Sequence, residues 1–71
     1  MNLYYNERIR DFIVSEDNDI EDYHLINNAP VSEDILNNFV ELHNTTFNFR
    51  KNINYATVKF NFNWFIKFRK L

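Results

Sequence analysis

The run Glu16-Asp17-Asn18-Asp19-Ile20-Glu21-Asp22 sets five carboxylates within seven residues, the densest titratable cluster in the chain. Oxygens at alternate positions are what a calcium loop offers. Such a loop also needs a glycine at its sharp turn and a glutamate at its twelfth position, and this chain contains no glycine. What remains is electrostatic chemistry. Clustered like charge speeds and orients the encounter with an oppositely charged surface. Glu16, Asp17, Asp19, Glu21 and Asp22 are therefore read as a docking patch for a basic protein surface, with Glu33, Asp34 and Glu41 able to extend it. The plainer alternative is a solvated acidic turn.

Positive charge collects at the other end. All ten acidic residues lie at or before Glu41, and six of the eight basic residues lie at or after Arg50, so the net charge of −2 hides a polarised chain. Arg50 and Lys51 sit at a predicted turn, and from Lys59 to Lys70 the cations Lys59, Lys67 and Arg69 are interleaved with Phe and Trp, the general recipe for a single-stranded nucleic-acid surface. Most of those rings are even-numbered and share the face a core strand needs, which favours a core strand with a cationic back. Nucleic acid is kept as the alternative partner. A helix from Asn63 would instead line up Trp64, Phe65, Phe68 and Leu71 beside Lys67 and Lys70, as a membrane-surface segment does. The alternation argues against that reading, and no membrane partner is expected.

Groups for catalysis are sparse. His24 and His43 are the only histidines and lack Glu-x-x-His spacing. Both read as surface or helix-end residues, and His43 would gain from a helix dipole when protonated. Ser15 and Ser32 are the only serines, and Ser32 is suited to capping a helix. Without glycine there is no Walker loop, dinucleotide fingerprint or nucleophile elbow. Without cysteine there is no disulfide or thiolate metal site. The expectation is a non-enzymatic protein with no cofactor and no metal.

Elements must position these residues. Tyr5, Ile9, Phe12 and Ile13 fit the i, i+4, i+7, i+8 face of an N-terminal helix. Ser15 to Asp19 is a turn, and residues 20–27 are a short element open to helix or strand. Asn27-Asn28-Ala29-Pro30 breaks the chain. Ser32 then caps a helix over about 32–43, with Glu33 and Asp34 in its first turn. From Ala56 to Phe68 every even position is apolar, and among the odd ones only Phe65 is, a period of two that predicts a strand. With Phe47 and Phe49 upstream, this predicts an antiparallel hairpin over about 45–50 and 55–68.

The predicted architecture is a single α+β domain over residues 1–71. One or two N-terminal helical elements and the capped central helix pack on the C-terminal hairpin. Its core is the even face of the long strand, Trp64 included, closed by Ile35, Leu36, Phe39, Val40, Tyr5, Ile9 and Phe12. The same element order is that of a winged helix, with Arg50 and Lys51 at the wing tip. The presumed recognition helix carries Glu33, Asp34 and Glu41 and no cation, which phosphates would repel.

At 71 residues one core is only just sufficient, so a homodimer is expected. The functional expectation is a small interaction protein of a phage or mobile element that blocks a host enzyme, such as one that processes nucleic acid, or a defence complex. A winged-helix-like DNA-binding regulator using the basic hairpin is the alternative, as is an antitoxin or immunity protein. No apolar run reaches the ~20 residues of a membrane span and the N-terminus shows no signal-peptide pattern, so a cytoplasmic location is expected.

Overall fold

The computed structural model describes residues 1–46 and 53–69. Strand β1 (Asn2–Asn6) pairs antiparallel with β2 (Asp11–Ser15) and with the short β3 (His24–Leu25), giving a sheet of order β2-β1-β3. Two helices follow, α1 (Glu33–Thr46) and α2 (Tyr55–Arg69). The predicted order is thus reversed. The sheet is N-terminal with three strands, and the C-terminal segment is helical, which removes the hairpin over 55–68 and with it the winged-helix alternative. Thr45 and Thr46 belong to α1, while Phe47, Phe49, Arg50 and Lys51 lie outside the described residues.

The N-terminal helix fails for a local reason. Tyr4-Tyr5 and Phe12-Ile13-Val14 are aromatic and β-branched runs that favour a pleated surface. The Asn6 side chain between them accepts from the Arg8 and Ile9 backbone N–H groups at 2.9 and 3.4 Å, an Asx turn that reverses the chain. Ile9, essential to the helical spacing, sits in that turn and is 61% exposed. Arg10 closes it with φ 55°, a conformation that a non-glycine residue adopts at some strain.

The C-terminal strand fails for a geometric one. Two residues turn about 200° around a helix, so an even-numbered apolar series splits into two opposed stripes. Val58, Phe62 and Ile66 form the inner stripe, while Phe60, Trp64 and Phe68 stand on the outer one, 69, 56 and 47% exposed. Phe65, the breach in the alternation, completes the inner i, i+4, i+7, i+8 face. Asn54 caps the helix, its Oδ1 accepting from the Thr57 N–H at 2.9 Å. A second orphan donor, the Tyr55 N–H, is taken by Glu7 Oε1 at 2.8 Å, so a β-turn carboxylate stabilises the positive end of α2.

The core lies between the helices and one face of the sheet. Leu3, Tyr5 and Ile26 meet Leu36, Phe39, Val58 and Phe62, with Phe12 and Val14 from β2 at the margin. Phe39 is the hub, with ring centroids 5.2 Å from Phe62 and 5.4 Å from Phe65. The predicted core residues Ile9 and Trp64 are excluded from it. Tyr4, one residue out of phase with Leu3 and Tyr5, faces the opposite side of the sheet and is nonetheless buried.

Candidate protein-docking surface

What buries Tyr4 is the acidic segment. The β2–β3 connection folds across the helix-free face of the sheet, and the Asp17 carbonyl there accepts from the Tyr4 hydroxyl and from Asn2 Nδ2. Both donors are even-numbered β1 residues on that face. The Asp17 N–H is held in turn by Ser15 Oγ at 3.1 Å. A turn with a Tyr23 N–H to Ile20 carbonyl bond of 3.1 Å then brings the chain back to the sheet, with Asp22 at φ 71° in its third position. The backbone is therefore tied down while the side chains are not. Glu16, Asp17, Asp19, Glu21 and Asp22 are all exposed, so the five predicted patch residues do form one solvent-facing loop.

Asp11 joins this acidic side, and the sequence reading had assigned it to a helix. It lies at the start of β2, where its Oδ2 accepts from the Tyr23 hydroxyl at 2.7 Å. That bond and the surrounding carboxylates push the Tyr23 phenol above its ordinary value. Pairing of β1 with β2 sets Asp11 directly opposite Asn6.

The extension through Glu33, Asp34 and Glu41 is on α1, packed against the opposite face of the sheet, so it is not continuous with the loop. Of the basic residues, Lys59 is half-buried and Lys67 exposed on α2, separated by eight residues or about 12 Å of helix. Arg69 ends α2, and Arg50 and Lys51 lie outside the described residues. The polarity in sequence is only partly kept in space: the acidic loop covers one face of the sheet, while the acid-free α2 shares the other face with the acids of α1.

His24 lies at the surface on β3 and His43 in the last turn of α1, but His43 is buried where a surface position was expected. His43 is 4% exposed, with ring centroids 5.0 Å from Phe12, 5.9 Å from Phe39 and 6.2 Å from Tyr5. Burial among those rings pushes its pKa down, and the Asn44 side chain opposes this more weakly. The net direction is the reverse of the gain expected at an exposed helix end, with burial as the largest cause. Burial likewise pushes the Tyr5 phenol up. His24 stacks on Tyr55 at 4.0 Å and 10°, joining the edge strand to the start of α2.

Beside α2 is an apolar groove of about 210 Å³, lined by Phe39, Leu42, His43, Thr46, Asn61, Trp64 and Phe65. Among the described residues no three metal-ligating side chains cluster, and no helix is long and apolar enough to cross a membrane. No family model, curated protein or solved structure matches the chain.

Proposed function

We propose that the protein is a non-enzymatic interaction protein that docks on a basic surface of another protein through its β2–β3 loop. This is the mode of a small inhibitor with which a phage or mobile element blocks a host enzyme or a defence complex. One observation carries the reading: the Asp17 carbonyl is pinned by Tyr4 and Asn2 while the five surrounding carboxylates stay in solvent. Crowding like charges is unfavourable for folding, and an anchored backbone lowers the ordering cost that binding would otherwise carry. An antitoxin or immunity protein would use the same surface chemistry, and gene neighbourhood separates it from an inhibitor.

The test is a variant with Glu16, Asp17, Asp19, Glu21 and Asp22 replaced by Asn or Gln. Immobilised wild type should retain a defined host polypeptide that the variant loses, with association slowed more than dissociation is accelerated. Salt should shrink the difference, since the Debye length falls from about 10 Å at 0.1 M to about 3 Å at 1 M. The variant should melt no lower than the parent. If wild type and variant retain the same polypeptides at the same rates, the loop is not the docking surface. If the variant instead gains affinity for single-stranded nucleic acid, the cations of α2 are the active groups and the reading is reversed.

A further inference from the structure

A helix that is apolar on both sides is a helix covered on both sides. The inner stripe of α2 is covered by the sheet and α1, whereas Phe60, Trp64 and Phe68 are open to solvent, with Leu42 of α1 exposed beside them. From this geometry we infer that a second copy of the chain covers the outer stripe, by antiparallel pairing of α2 with α2 about a two-fold axis at Trp64.

Three features favour that occupant. The stripe is self-complementary. Phe60 and Phe68 each stand four residues from Trp64, about 6 Å along the helix, so antiparallel pairing sets Phe60 level with Phe68 of the second copy and Trp64 against its counterpart. Asn61, one residue on from Phe60, is on the flank facing α1, so the same pairing brings Phe68 of the second copy beside the groove lined by Leu42, Thr46, Asn61 and Trp64. That groove, about 210 Å³, exceeds the ~150 Å³ apolar cavity known to accept a benzene ring.

The exposed aromatic area supplies much of what a specific contact needs. At ~200 Å² per ring the three exposures leave roughly 350 Å² of aromatic surface per chain. Two copies with their rims then approach the ~1,000 Å² of a specific interface. The electrostatics are permissive. The contact rings carry no charge, the helix dipoles oppose, and the two acidic loops are kept apart on the far faces of the sheets, while Lys67 at the edge of the stripe stays at the solvated rim. Trp64 and Phe68 also pack on each other at 4.8 Å, forming one apolar ridge where separate base-stacking platforms would need free ring faces.

Trp64 is the only tryptophan, so its emission reports directly on the interface. At micromolar concentration wild type should sediment as one species of twice 8.8 kDa, with blue-shifted emission that moves to the red on dilution. Phe60→Glu and Phe68→Lys should each keep the far-ultraviolet dichroism of the parent and weaken self-association roughly 30-fold or more. Mixing the two variants should restore a dimer, because one intact Phe–Phe contact is then joined by an opposite-charge pair. Ile9→Ser, which removes an exposed apolar residue in the β1–β2 turn, should leave the dimer intact. A wild type that stays at 8.8 kDa overturns the proposal, and so do folded Phe60→Glu and Phe68→Lys variants that remain dimeric. A monomer whose emission shifts only on anionic phosphatidylserine vesicles, or only with a single-stranded oligonucleotide, overturns it in favour of lipid or nucleic acid. Neutralising the acidic loop should not change the dimer, which keeps this result separate from that of the docking experiment.

Discussion

Asn27 continues the sheet with its side chain where β3 has ended. Its Oδ1 accepts from the Leu3 N–H at 2.8 Å, directly after the Ile26 N–H has bonded the Leu3 carbonyl at 2.8 Å. Its Nδ2 donates to the Met1 and Ala29 carbonyls at 3.3 and 2.8 Å. One buried carboxamide thereby ties the N-terminal strand to the segment that leads into α1. Asn27→Ala should leave a buried Leu3 donor without a partner and lower stability by about 2–3 kcal/mol. A chemical denaturation curve checks this, and Asn27→Asp should fare no better, since a carboxylate cannot donate to the two carbonyls.

His43 makes stability depend on pH. Its folded pKa lies below the ordinary 6.5, so the folded chain holds it neutral among Phe12, Phe39 and Tyr5. The unfolded chain takes up the proton first as pH falls. The contribution is therefore complete above 6.5 and is lost on acidification through that value toward the lower folded one. Melting temperature should drop between pH 7.5 and pH 5.5, an interval of about one unit either side of the ordinary histidine value. His43→Phe should flatten that part of the profile.

Phe62 and Trp64, expected together in the core by alternation, lie on opposite sides of α2, with only Phe62 buried. Phe62 is buried against Phe39, so Phe62→Ala should lower stability by about 3–5 kcal/mol, enough to unfold most of a small domain. Trp64→Ala should change monomer stability by less than about 1 kcal/mol, because the ring is mostly in solvent. Melts at high dilution, where chains are apart, make the comparison.

Glu7 and Tyr55 couple the first hairpin to the last helix across 48 residues. Glu7→Ala should lose about 1 kcal/mol, since the carboxylate both accepts an orphan N–H and faces the helix dipole. Glu7→Gln should recover the hydrogen bond but not the charge, and fall between the two in a thermal melt.

Asp22 occupies the position of its turn that calls for positive φ. Asp22→Gly should be tolerated or slightly stabilising, whereas Asp22→Val should lower stability by about 1–2 kcal/mol. Thermal denaturation of the pair isolates the backbone effect, since both variants remove the same charge.

By itself the sequence determined what depends on local chemistry. Ser32 followed by Glu33 and Asp34 marked the start of α1, and the apolar spacing of Leu36, Phe39 and Val40 marked the side it buries. The acid run had to be a solvent-facing loop, because five carboxylates cannot share a core. What tertiary structure decided was the choice between periods. Tyr5 and Ile9 fit a helix by spacing, yet only pairing of β1 with both β2 and β3 satisfies its backbone and buries Leu3 and Tyr5 together. The even-numbered rings of α2 fit a strand equally well on paper. In the structure the segment packs on the sheet as a helix, burying Val58, Phe62 and Ile66 on one side, and Phe65 is the residue whose spacing tells the two periods apart. The placement of the acidic loop over Tyr4, opposite the aromatic ridge of Trp64, follows from chain topology, which no local pattern encodes.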